Sequence, residues 1–194
     1  MKGNKLIAIT GGIGSGKSLA LNIIKSAGFS VLSCDQIVKD LYKKHNIKCV
    51  LKGIFPTAVS GTKRLKINTK KIADITFFDK QKHTELTSAI TPLVLEEVLK
   101  KASRKKGLVF VEVPLLFECG YQDRFDGVIV ITRDIDARIE SVKARSNLTE
   151  EQILARINAQ IDYSKLDLSN YKVIFNNGDI THLKNSILDC IKSL

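Results

Sequence analysis

The chain has 194 residues, 44% hydrophobic and 26% charged, a composition that suits one soluble globular domain with at most a small insertion. No apolar run approaches the ~20 residues that a membrane helix needs, and the four cysteines and three histidines are too scattered for a zinc site or a disulfide framework. The excess of 31 basic over 20 acidic residues, a net +11, attracts anions; with 6% aromatics and no basic run alternating with them, a nucleotide or phosphorylated small molecule fits better than nucleic acid.

Met1-Lys2-Gly3-Asn4-Lys5 passes straight into the first strand without an apolar signal segment, so the expected compartment is the cytoplasm. Leu6-Ile7-Ala8-Ile9 reads as a buried strand. Gly11-Gly12-Ile13-Gly14-Ser15-Gly16-Lys17-Ser18 follows as G-x-x-x-x-G-K-S, a phosphate-binding loop. Its glycines let the backbone curl so that successive N–H groups face phosphate oxygens, and the helix opening near Gly16 adds the positive end of its dipole. Nucleotide binding is therefore assigned to Gly12, Ile13, Gly14, Ser15, Gly16, Lys17 and Ser18. Lys17 can reach the β- and γ-phosphates, and Ser18 can offer its hydroxyl to Mg²⁺. An ordinary glycine turn would not call for Lys and Ser at these two places. Leu19, Ala20, Ile23, Ile24 and Ala27 continue at helical spacing up to Gly28.

Phe29-Ser30-Val31-Leu32 is a second strand. Asp35 falls between its end and the next helix, suited either to meet a phosphoryl acceptor or simply to cap that helix. From 44 to 106 the pattern turns irregular, with a loop over Gly53–Gly61 and helices over Ile67–Phe78 and Gln81–Ile90. Thr91-Pro92 is expected to break the chain, with Pro92 in the first turn of a new helix. Leu108-Val109-Phe110-Val111 is a third strand. Glu112 after it suits the Mg²⁺ shell through water, and Glu118 is either a surface acid or a substrate ligand. Val128-Ile129-Val130-Ile131 is a fourth strand. Helices follow from about Asp134 to Arg145 and, after the T-x-x-Q box Thr149-Glu150-Glu151-Gln152, beyond it. Arg138, Arg145 and Arg156 on this pair are either exposed or a cover for the triphosphate, with Arg145 favoured by its place at the turn. Tyr171–Phe175 is the fifth strand, Asn176-Asn177-Gly178 its turn, and Ile180 to Leu194 a closing amphipathic helix. The sum is an α/β chain with a doubly wound parallel sheet.

The form T-G-G-I-G-S-G-K-S at Thr10–Ser18, together with Ser33-Cys34-Asp35, Val113-Pro114-Leu115-Leu116-Phe117-Glu118, Arg145 with Leu148-Thr149-Glu150-Glu151, then Arg156, Gln160 and Ile174–Gly178, resembles dephospho-CoA kinase over nearly the whole chain. The resemblance implies a P-loop kinase fold: a five-stranded parallel sheet flanked by helices, with a nucleotide core of about 1–35, 107–135 and 170–194. A helical coenzyme-binding insertion would span about 36–106 and a small lid about 136–169. It implies transfer of the ATP γ-phosphoryl group to the ribose 3′-hydroxyl of dephospho-CoA. Asp35 would be the base, with Lys17, Arg145 and Mg²⁺ neutralising the phosphates. Asp35, Pro114, Leu115, Leu116 and Glu118 would lie on the substrate side, and Asn176 near the adenine. The chain departs from the family's pattern at Ser33, Thr69, Thr91 and Ser141. A kinase of another nucleotide or nucleoside is the nearer alternative, and an ATP-dependent nucleic-acid-binding protein the more distant one.

Overall fold

A computed structural model describes residues 4–194; the Met1–Gly3 part of the stretch read as leading into the first strand lies outside the described residues. The chain opens with β1 (Lys5–Thr10), α1 (Lys17–Ser26) and β2 (Ser30–Ser33). Cys34–Lys101 then forms a compact unit of its own. It holds α2 (Cys34–Leu41), α3 (His45–Ile54), the short strands β3 (Val59–Ser60) and β4 (Lys66–Ile67), α4 (Thr69–Phe78) and α5 (Lys80–Ala102). The other unit resumes with β5 (Leu108–Glu112), β6 (Gly127–Thr132), α6 (Ile135–Lys143), α7 (Glu150–Asn158), β7 (Lys172–Phe175) and α8 (Ile180–Lys192).

The five long strands form one sheet in the order β2-β5-β1-β6-β7, and every neighbouring pair is parallel. β1 is central and, past Lys5, buried throughout, as a strand covered on both faces must be. Alternate side chains build two cores. On one face Ile7, Ile9, Phe110, Ile129, Ile131 and Ile174 pack against α1 through Ala20 and Ile24 and against α8 through Leu183 and Ile187. On the other, Ala8, Val128 and Val130 meet Leu116, with Phe117, Tyr163 and Tyr171 around them. The helices α6 and α7 enclose a third cluster, Ile139, Val142, Ile153 and Ile157. The capping box forms as the sequence suggests: Thr149 Oγ1 accepts from Gln152 N at 3.3 Å, and Gln152 Oε1 accepts from Thr149 N at 3.1 Å. Because the strands are parallel, their carboxyl ends (Thr10, Ser33, Glu112, Thr132 and Phe175) share one edge of the sheet, where ligands of such folds gather.

Two expectations are corrected within Cys34–Lys101. The break at Thr91-Pro92 does not occur; α5 runs unbroken through Pro92. Proline removes the N–H that would bond the Ser88 carbonyl, but buried Ile90, Val94 and Val98 keep one helical face packed across it. The stretch after Pro56 is not all loop. β3 and β4 pair antiparallel, Val59 opposite Ile67 and Ser60 opposite Lys66. Strands of two residues are too short to show an alternating pattern. None of the four cysteines forms a disulfide, and among the described residues no helix is long and apolar enough to cross a membrane.

Phe110 is fully buried and meets Phe29 edge-on, ring centroids 5.6 Å apart. Phe110→Ala is expected to cost about 3–5 kcal/mol, seen as a lower urea midpoint at unchanged slope. A loss well under 1 kcal/mol would contradict its place in the core.

Candidate active site

The site is built where β1 ends at Thr10 and α1 begins at Lys17. Gly14 and Gly16 turn the backbone with φ of 78° and 101°, a region closed to ordinary side chains. There is also no room for one: a Cβ on Gly14 would strike the Arg138 carbonyl, and one on Gly16 would strike the Asn176 amide. Gly16 caps α1, whose first turn carries no acidic residue, so the positive end of the helix is left for an anion.

Lys17 Nζ donates to the carbonyls of Gly11 at 2.6 Å and Gly12 at 2.9 Å, which holds the ammonium at the loop. Ser18 Oγ donates to Glu112 Oε1 at 3.2 Å, and Glu112 is itself buried. The register Ile9–Glu112 across β1 and β5 brings these two together. Ser15 is 1% exposed and its hydroxyl has no hydrogen-bond partner among the described residues. An orphaned hydroxyl, a lysine and a hydroxyl–carboxylate pair around a glycine turn are the donors that nucleotide phosphates and a Mg²⁺ ion require. Mg²⁺ keeps most of its waters and needs few protein ligands. Ser18, and Glu112 behind it, fit that demand.

Side chains from three other segments hold the loop. Ile13 N donates to Gln160 Oε1 at 2.6 Å, and Arg138 Nε donates to Ile13 O at 2.8 Å. Asn176 Nδ2 donates to Ser15 O at 2.8 Å. The Ile13 side chain packs into the α6–α7 cluster. Tyr163 Oη lies 3.1 Å from Thr10 Oγ1, and burial pushes its phenol pKa up, so it stays protonated. Burial draws the Arg138 pKa down, from a value so high that the group remains charged. Beside the loop lies a cleft of about 770 Å³, lined by Gly12, Ser15, Thr132, Arg133, Ile135, Arg138, Tyr163 and Phe175 among others. That volume suits a nucleotide-sized ligand.

The other expected residues are placed as follows. Asp35 is exposed in the first turn of α2. Pro114 and Leu115 are half-buried after β5, and Leu116 is fully buried against the sheet. Glu118 Oε1 accepts from Ile161 N at 3.2 Å, which ties down the segment after α7. Arg145 is exposed in the turn after α6 and Arg156 is exposed in the last turn of α7, while Arg138 lies on the loop. Tyr163 was not foreseen. It stands in a short stretch of 3-10 helix, Tyr163–Lys165, with no pattern in the sequence to mark it.

Asn176→Leu leaves the Ser15 carbonyl without its donor. It is expected to cost about 1–3 kcal/mol of stability, read as a lower urea midpoint. An unchanged midpoint would separate Asn176 from the support of the loop.

A family model matches most of the sequence. The dephospho-CoA kinase model (CoaE) covers residues 5–182. A dephospho-CoA kinase of Thermus thermophilus is 32% identical over 183 residues, 94% of this chain and 88% of that protein. The crystal structure of TT1252 from Thermus thermophilus superposes with a TM-score of 0.86 at 31% identity, covering 100% of this chain and 99% of that one. A dephospho-CoA kinase from Campylobacter jejuni shares the fold at a TM-score of 0.68 and 24% identity, covering 97% and 96%. With the phosphate loop, the parallel sheet and the Ser18–Glu112 pair in place, the chain belongs to the dephospho-CoA kinase family.

Proposed function

We propose that this kinase transfers the γ-phosphoryl group of ATP to the ribose 3′-hydroxyl of dephospho-CoA, giving coenzyme A and ADP, the last step of coenzyme A synthesis. The observation that carries the reading is the phosphate loop with Ser18 and Glu112 3.2 Å apart beside Lys17, in a chain matched to the family over residues 5–182. The acceptor oxygen forms a bond to the γ-phosphorus as the bond to the β-bridging oxygen breaks, and ADP leaves. The hydroxyl proton passes to the Asp35 carboxylate, the base of the reaction.

The N–H groups of Gly14, Gly16, Lys17 and Ser18 bind the phosphates, while the Ile13 N–H stays on Gln160. Lys17 exchanges its carbonyl partners for the β- and γ-oxygens, and Arg145 adds charge from the lid. Ser18, with Glu112 behind it through water, would hold Mg²⁺, which would supply neutralisation of the phosphate charge. Asn176 keeps the loop in register at the adenine side. The unit Cys34–Lys101 is the coenzyme-binding insertion, and Pro114, Leu115, Leu116 and Glu118 shape the acceptor side. Positioning and charge neutralisation supply most of the rate, since phosphoryl transfer needs little covalent help.

With ATP, Mg²⁺ and a panel of acceptors, coenzyme A is expected by mass only when dephospho-CoA is present. ADP release with adenosine or AMP instead would move the acceptor assignment to another nucleotide or nucleoside. Lys17→Ala is expected to lower kcat/KM at least about 100-fold through the lost phosphate contact. Asp35→Asn is expected to lower kcat about 100-fold or more while ATP affinity stays within twofold. Near-normal turnover in that variant would remove Asp35 from the role of base.

A further inference from the structure

Arg138 stands on α6 where the helical pattern would equally allow it to point into solvent. Its guanidinium lies on the phosphate loop instead. Nε donates to Ile13 O at 2.8 Å, and a Cβ on Gly12 would run into Nη2. The side chain is half-buried, yet among the described residues no carboxylate forms an ion pair with it. Asp162 acts on it only at longer range, and the Asp162 carboxylate is already engaged by Ser164 and Lys165. A desolvated cation without a counter-ion is costly, and such a group is retained where an anion completes it. Ser15, 1% exposed and with a buried hydroxyl that has no hydrogen-bond partner among the described residues, lines the same cleft.

We propose that Arg138 is a catalytic residue of this kinase, contacting the β- and γ-phosphoryl oxygens of ATP with the terminal nitrogens of its guanidinium. Nε stays on Ile13 O, and Gln160 on Ile13 N fixes the same residue from its other side, so the guanidinium plane is set before the nucleotide arrives. Arg138 gains and loses no proton; it steadies negative charge on the group in flight. The inference rests on the reading of this loop as the ATP site.

Arg138→Gln keeps an amide donor for Ile13 O and removes the charge. Titration calorimetry without acceptor, turnover with dephospho-CoA and thermal melting are measured side by side. The variant is expected to bind AMP within about twofold of the parent, to bind ATP about tenfold more weakly and to lose about 100-fold or more in kcat, with its melting temperature nearly unchanged. ATP affinity and kcat both within twofold of the parent would overturn the proposal. So would equal losses for AMP and ATP, which would mark a purely structural role. A parent protein that binds no ATP would sink the reading of the site as a whole, whereas a parent that binds ATP beside an unaltered variant sinks only the role of Arg138. Should the glutamine variant fail to fold, Arg138→Lys keeps charge without the planar fork. It is then expected to hold ATP affinity within threefold and still lose at least about tenfold in kcat; full turnover would count against the proposal.

Discussion

Ile13 is where the phosphate loop is held from outside. Its side chain is packed into the α6–α7 cluster, its N–H is taken by Gln160 and its carbonyl by Arg138. A loop this rich in glycine loses much backbone freedom on folding and has few side chains of its own to offset that loss. Burying one isoleucine is worth about 1.5–3 kcal/mol, and each hydrogen bond adds about 0.5–1.5 kcal/mol, more where one partner is charged. These contacts are comparable to the cost of ordering a few loop residues. The α6–α7 pair is therefore part of what shapes the loop, and movement of that pair carries the leading part of the loop with it.

The sheet supplies the other half of the site. Its parallel strands deliver Thr10 and Glu112 to one edge, and the one-to-one register of β1 with β5 puts Glu112 within reach of the first turn of α1. A slip of one residue in that pairing would turn Glu112 to the opposite face. The alternating cores that flank β1 and β5 forbid such a slip, since it would send Ile7, Ile9 and Phe110 to the wrong sides. Core packing thus fixes the position of a polar pair at the loop.

Much of this was legible in the chain. The strands expected at Phe29–Leu32 and Val128–Ile131 fall within one residue of β2 and β6, because runs of apolar and β-branched residues between turn signals have few alternatives. The loop was readable because its chemistry fixes residue types at fixed spacing. Pro92 misled because local preference gave way to the buried face of α5, a tertiary effect. The β3–β4 pair was too short to leave a period. Position at the turn favoured Arg145 over Arg138 and Arg156, yet it is the Arg138 guanidinium that meets the loop. That contact, to Ile13, joins residues far apart in the chain. Tyr163 was invisible for the same reason: its partner, Thr10, is distant in the chain and close only in space.

The central place of β1 also bears on how the protein is made. Its neighbours on both sides come late: Lys5 lies opposite Leu108, and Ile7 opposite Gly127. At synthesis rates of about 5–20 residues per second, the strand that carries the loop waits about 5–20 s on the ribosome before its first partner exists. For that time an apolar strand, Leu6-Ile7-Ala8-Ile9, has no sheet to join, while Cys34–Lys101, a compact unit by itself, is already complete in sequence. The nascent chain thus has its early opportunity to fold in the middle, and its N-terminal strand is the segment most in need of shielding by a chaperone.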